Sequence, residues 1–275
     1  MSTMTTMHDL LTDEDLSNFV INPEILRYLE LFREKITLEK HDINVLDWGC
    51  GRGRSVSLLR DMGYNTFGVD ICAESLSNGN TYFSKKPKYP ANMLRLISPK
   101  GKIDFPDNYF HFIFSYQVLE HVEHIEDLAD EITRVLAPGG TCLHIYPAHK
   151  RVIEGHLFMP FIHWLPKNNI RKAFITLFVT LGIEPRWREL KDKNILGKAQ
   201  AYYNFSVNET FYRSPVTNKK IFEQRGLQTD FVIINNPILR KHGVLSRIMN
   251  VNYLKKLINW MLLNFKSVEI LLVKP

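Results

Sequence analysis

Apolar residues fall at helical spacing across residues 13–37 (Leu16, Phe19, Val20, Ile25, Leu26, Leu29, Phe32) and then give way to short apolar runs separated by amphipathic stretches. The first region predicts a helical cover that restarts at Asn22-Pro23, because proline suits the first turn of a helix. The runs predict strands at 43–48, 65–71, 93–97, 109–115 and 140–146, with helices at about 53–62, 73–84 and 124–136 between them. Such alternation implies a mostly parallel, doubly wound α/β sheet that holds ligands at the carboxyl ends of its strands. After Pro147 the alternation breaks, and residues 148–215 read as an insertion rich in aromatics and histidine. A helix over 218–226 that stops at Gly226, and strands at 227–235 and 268–273, resume the pattern. The sum is one Rossmann-like domain over 1–275 with a seven-stranded sheet and helical lid insertions. Its expected parts are a helical cover at 13–37, a ligand-binding core at 43–147, the insertion at 148–215 and a C-terminal portion at 216–275.

The densest chemical signal is Val45-Leu46-Asp47-Trp48-Gly49-Cys50-Gly51-Arg52-Gly53-Arg54-Ser55, an apolar strand that ends in an acid and runs into three alternate glycines. Glycines so placed let the backbone turn sharply and let a ligand approach it closely. A second strand, Thr66-Phe67-Gly68-Val69-Asp70-Ile71, ends in Asp70, 23 residues after Asp47 and suited to grip ribose hydroxyls. Nicotinamide-binding turns share this layout but space their glycines G-x-G-x-x-G and seat a pyrophosphate on the helix. Here the spacing is G-x-G-x-G, Arg54 stands where the last glycine would fall, and Asp47 would repel a pyrophosphate. A ligand with an ammonium group suits Asp47 better.

At this point the chain resembles the class I methyltransferases, within the group that carries a D-x-G-C-G-x-G loop. Phe105 to Ser115 is similar to that family's approach to its fourth strand, Gln117-Val118-Leu119-Glu120-His121-Val122 to the segment after it, and Leu136-Ala137-Pro138-Gly139-Gly140 to the turn into the fifth. The resemblance implies S-adenosylmethionine as cofactor. It assigns Asp47, Gly49, Gly51 and Gly53 to the methionine end, Asp70 and Ile71 to ribose and adenine, and Ser115 and Gln117 to the sulfur side. Two departures matter: Ile97 to Lys102 holds no carboxylate for the adenine amino group, and His111 stands where relatives carry an acid.

Charge and cysteine content narrow the picture. A net charge of +6 supports solubility and non-specific attraction rather than a defined nucleic-acid partner. Base methylation is disfavoured, since Ser115-Tyr116-Gln117 replaces the Asn- or Asp-Pro-Pro of amino-group enzymes and no cysteine follows a proline. RNA methylation through the basic surface stays open, as does a cofactor-binding protein without catalysis. Cys50, Cys72 and Cys142 are odd in number and widely spaced, which reads as buried thiols in a reducing cytoplasm with neither zinc nor disulfide pattern. The N-terminus has no signal-peptide pattern, and the apolar run Ala173 to Ile183 is too short to span a bilayer.

Acceptor chemistry is sought in the first insertion, 148–215, directly after the fifth strand, where the family resemblance implies a substrate lid. His156 and His163, in the cluster Glu154 to Pro166, are candidate general bases, and His121 is a third candidate at the acceptor. Methyl transfer itself needs no metal. The insertion bears a faint likeness to lids of glycan and lipid methyltransferases, which points to an oxygen of a small molecule, glycan or lipid-like acceptor. The second insertion, 236–267, carries six Lys or Arg and no Asp or Glu. Within it Val251 to Phe265 is a candidate amphipathic helix for peripheral contact with an anionic membrane.

Overall fold

A computed structural model describes residues 10–233 and 252–275. Two short helices open the chain, α1 (Asp13–Ser17) and α2 (Pro23–Arg33), where one broken helical cover is expected. Both starts are capped: Thr12 and Asp15 exchange backbone and side-chain hydrogen bonds, and Asn22 accepts from Glu24 N at 2.9 Å with Pro23 in the first turn. The alternating part follows as β1 (Asn44–Trp48), α3 (Arg54–Asp61), β2 (Asn65–Asp70), α4 (Ala73–Phe83), β3 (Leu94–Leu96), β4 (Phe110–Tyr116), α5 (Ile125–Val135) and β5 (Leu136–Pro147). The insertion contributes α6 (Asn169–Thr180) and α7 (Ile195–Asn208). The chain continues through α8 (Pro215–Glu223), β6 (Gln228–Phe231), α9 (Asn252–Phe265) and β7 (Ser267–Val273).

The seven strands form one sheet in the order β3-β2-β1-β4-β5-β7-β6, parallel except for β7, which runs antiparallel to both neighbours. Strand order reverses between β1 and β4, so their carboxyl ends open the crevice where α/β sheets hold ligands. Alternation along the strands feeds two apolar layers. Leu46, Ile113, Cys142 and Ile270 pack towards α5 and α8. Val45, Phe112, Phe114 and Leu143 pack against Ile25, Leu29 and Phe32 of α2.

Three details differ from the sequence expectation. Strand β5 starts at Leu136 rather than Gly140, and its pairing with β4 shifts register between Phe110 and Phe112. Lys274 explains the extension, since its backbone N–H and carbonyl bond Gly140 and Gly139 and carry the ladder past the expected turn. Cys50 and Cys72 are only partly buried, so of the three thiols Cys142 alone sits in the core. Third, β6 ends at Phe231, although Val232 N–H still bonds Glu269 O at 2.9 Å; residues 234–235 of the expected strand, and Arg240, Lys241 and Arg247 of the second insertion, lie outside the described residues.

The insertion builds an apolar centre of its own. Leu157, Met159, Ile162, Ile175, Val179, Leu190, Ala199, Tyr202 and Phe205 form one cluster. It meets the sheet through few backbone bonds, among them Phe211 N–H to the Glu120 carbonyl at 2.6 Å.

Candidate active site

The glycine loop owes its shape to left-handed backbone. Gly49, Gly51 and Gly53 have φ of 86°, 54° and 83°, a region where side chains other than glycine are strained. A Cβ on Gly49 would lie 2.3 Å from Val118 Cγ2, so this glycine also permits the close packing of the segment after β4. A Cβ on Gly51 would meet nothing within 4 Å, so Gly51 borders open space. That space is a cavity of about 260 Å³ lined by Asp47, Gly49, Gly51, Ser55, Phe114 and Tyr116, with Phe19 from the N-terminal cover closing one side.

Asp47 is the cavity's chemical centre. It is 5% exposed, and burial, reinforced by the charge of Asp70, pushes its carboxyl up to about 8. The group is therefore mostly neutral at pH 7, and a cation placed beside it would favour the carboxylate. Asp70 sits behind the loop and braces it: one oxygen accepts from Gly51 N and the other from Cys72 N, each at 2.8 Å. Each oxygen keeps a lone pair for a hydroxyl. Ile71 is exposed beside it.

Gln117 and Ser115 part company. Gln117 takes a left-handed φ of 57° with its N–H bonded to Ile145 O at 2.8 Å, the kind of constrained turn that recurs at functional sites. The Ser115 side chain turns away from the cavity, which leaves its backbone as the part that faces the expected sulfur side. It is fully buried and bonds His144 Nδ1 at 2.7 Å, while its neighbours Phe114 and Tyr116 line the cavity. The two-residue period of a strand puts Ser115 on the opposite face.

The comparisons with known proteins decide the family. Residues 46–144 match the methyltransferase domain model, over the stretch that carries this loop and crevice. Residues 46–144 thus form a methyltransferase domain of the class I S-adenosylmethionine-dependent kind. A 138-residue stretch is 33% identical to an uncharacterized protein of Methanocaldococcus jannaschii, covering 48% of this chain and 56% of that one. Over 154 residues the chain is 27% identical to a ubiquinone biosynthesis O-methyltransferase of Rickettsia felis, covering 54% of this chain and 60% of the relative. It thus spans less than two thirds of these relatives' lengths. In fold it is similar to an S-adenosylmethionine dependent methyltransferase from Mesorhizobium loti, with a TM-score of 0.50 at 12% identity over 89% of this chain and 96% of that one.

The three histidines expected from the sequence to serve the acceptor do not form one set. His121 and His156 meet edge to face, with ring centroids 4.8 Å apart, next to the buried Glu120. His163 lies elsewhere, packed on Tyr212 at 4.7 Å and lining a separate cavity of about 330 Å³ with Lys167, Arg171 and Arg213. Burial holds His163 down to about 4, which leaves it neutral at pH 7. Sequence reasoning missed two residues. Glu154 accepts from His156 Nδ1 at 2.8 Å and from the Tyr212 hydroxyl at 2.6 Å, and Tyr212 ties His163's cavity to this network. Only the E-G-H spacing hinted at Glu154, and nothing in the sequence pointed to Tyr212.

Proposed function

We propose that this chain transfers the methyl group of S-adenosylmethionine to an oxygen of an apolar, lipid-like small molecule. The observation that carries the cofactor part is Asp47, a buried carboxyl group lining the cavity beside the open backbone of Gly51. That donor set fits the ammonium and carboxylate of a methionine end, with Asp70 and Ile71 placed for ribose and adenine and Gln117 for the sulfur side. When bound, the sulfonium supplies a methyl group that is already strongly electrophilic. The chain's residues then have to hold the acceptor in line, exclude water and take up a proton. Val118, just before this cluster in the chain, packs on Gly49 of the glycine loop, and the His121 and His156 side chains are the ones we place nearest the acceptor's oxygen.

The apolar part of the reading rests on the insertion's surface. Ile170, Phe174, Leu177 and Leu181 follow helical spacing along α6, and each is exposed. Phe158, Phe161 and Trp164 are exposed as well, and both phenylalanines hold left-handed φ near 55–59°, a strain that clusters at ligand clamps. The Rickettsia felis relative is named for O-methylation of ubiquinone precursors, which agrees with an oxygen on an apolar molecule. Among the described residues no helix is long and apolar enough to cross a membrane. We assign contact with lipid to surface helices with exposed apolar residues, α9 first among them.

Isothermal titration with S-adenosylhomocysteine and with NADH, on wild type and Asp70→Ala, tests the cofactor. Micromolar binding of the former alone, weakened in the variant, is the expected result. Turnover is then read on quinol, sterol and lipid-linked sugar acceptors. S-adenosylhomocysteine binding without turnover on any of them would favour a non-catalytic partner protein, and salt-sensitive RNA binding would favour a nucleic-acid substrate.

A further inference from the structure

The side chains of Glu120, His121 and His156 bring one carboxylate and two imidazoles together, with their ligand atoms all within 4.8 Å of one another. Glu120 is 2% exposed, and neither of its oxygens has a hydrogen-bond partner. An unpartnered buried carboxylate is costly unless something satisfies it. The two imidazoles stand beside it, with His121 Nε2 4.0 Å from Glu120 Oε1.

Both imidazoles are oriented from behind. His121 Nδ1 lies 2.6 Å from the Glu209 carbonyl, which can only accept, so Nδ1 carries the proton and Nε2 keeps its lone pair. His156 Nδ1 lies 2.8 Å from Glu154 Oε1. Glu154 also accepts the Tyr212 hydroxyl and the backbone N–H groups of His156 and Leu157, and although burial opposes its charge these bonds hold it ionised. Glu154 is thus an acceptor as well, and His156 Nε2 is left free. A carbonyl or carboxylate behind each imidazole, with the opposite nitrogen presented forward, is the outer shell of a metal-binding histidine.

We propose that Glu120, His121 Nε2 and His156 Nε2 bind one divalent transition-metal ion. Ligand atoms on a single ion stand roughly 3–3.5 Å apart at ordinary metal–nitrogen and metal–oxygen lengths, so loading draws the triad slightly together. Two imidazoles and one carboxylate select zinc, iron or cobalt over magnesium or calcium, which prefer oxygen donors. Three protein ligands leave open positions for water or an oxygen of a second molecule. The place is suggestive: Val118, two residues before Glu120, packs on Gly49 of the glycine loop. The sequence hides the set, because its members stand 35 residues apart and the adjacent Glu-His pair alone matches no metal spacing.

The site is tested without reference to methyl transfer. Full-length protein stripped with EDTA is titrated with Co²⁺ while the visible absorption of the bound ion is followed, and zinc is then added in competition. One equivalent of Co²⁺, displaced by zinc, is expected. Glu120→Gln should weaken binding at least about 100-fold by removing the charged ligand. Glu154→Gln, a positioning change, should weaken it about 10- to 100-fold and alter the cobalt spectrum. S-adenosylhomocysteine binding by each variant confirms a folded core, and His121→Asn replaces any variant that fails this check. Absence of one-equivalent binding in wild type, or binding unchanged in both Glu120→Gln and His156→Ala, overturns the proposal and leaves the cofactor reading intact.

Discussion

The glycine loop and the insertion's histidine network achieve the same end, a prepared polar site, by opposite means. In the loop the working groups are near neighbours in sequence, Asp47 to Ser55 with Asp70 behind, and backbone conformation does the positioning. In the network, Glu120, His121, Glu154, His156, Glu209 and Tyr212 come from three separate segments, and side-chain hydrogen bonds do the positioning. A site held by backbone can be changed only by altering the turn itself. A site held across an inserted layer depends on how that layer packs, so the two regions should fail independently.

The largest expected effect comes from breaking the insertion's centre. Tyr202 is 1% exposed, packs edge to face on Trp187 at 4.9 Å and donates its hydroxyl to Pro185 O at 2.8 Å. Tyr202→Ala should destabilise the insertion by about 3–5 kcal/mol. Hydrogen exchange should rise across 157–208 while S-adenosylhomocysteine binding stays near wild type. Lost cofactor binding would mean that the two regions are one cooperative unit.

Two glycine variants cut from the other side. Gly49→Ala adds an atom where Val118 already stands and strains a residue at φ of 86°. It should cost about 1–3 kcal/mol in stability and lower S-adenosylhomocysteine affinity as well. Gly51→Ala has room, so its penalty is the left-handed backbone alone, about 1–2 kcal/mol, and its larger effect should be on affinity. Equal melting temperatures for the two variants would contradict the packing argument.

How much of this was legible in the chain follows from the same contrast. Strand and helix alternation, the seven-stranded sheet and the D-x-G-C-G-x-G loop are local patterns, and they read correctly because periodicity and glycine spacing are local properties. Ser115 was assigned to the cofactor by its place in a motif, although its period put Phe114 and Tyr116 on the cavity side. His163 was grouped with His156 by proximity along the chain, yet a left-handed turn at Phe161 sends it to a different cavity. Tyr212 and Glu209 had no readable signal, because their partners Glu154 and His121 stand 58 and 88 residues away in the chain.

Acidity at Asp47 supplies a third test, confined to the loop. With its carboxyl pushed up to about 8 in the free protein, binding a ligand ammonium at pH 7 must release a proton. Affinity for S-adenosylhomocysteine should therefore rise with pH from 6 towards 8, by at most about tenfold per unit, and calorimetry in buffers of different ionisation enthalpy should detect the released proton. The sign for stability is opposite. A carboxyl whose folded pKa lies above its unfolded value weakens the ligand-free fold as pH rises from about 4 to 8. Asp47→Asn should flatten both trends, and a slope that survives in that variant would assign the proton to another group.

The smallest effect concerns α9, where the comparison extends to a surface neither site uses. Tyr253, Leu257, Trp260 and Met261 lie at spacings of four, three and one along this helix, and all are exposed, while Leu263 is buried and ties the helix to the sheet's apolar layer. Lys255 and Lys256 are exposed beside them, and the helix carries no acid. An apolar face flanked by lysines suits an interface between headgroups and acyl chains. Each lysine near an anionic surface contributes about 1 kcal/mol at most, so the double variant Lys255→Glu, Lys256→Glu should reduce flotation with phosphatidylserine vesicles by more than tenfold in partition coefficient. Vesicles of phosphatidylcholine alone should bind weakly, and Trp260→Glu should lower binding to both. Failure of the wild type to float at physiological salt would return α9 to the role of a packed helix with a solvated basic edge. The apolar stripe of α6 would then be the remaining surface for a lipid-like acceptor.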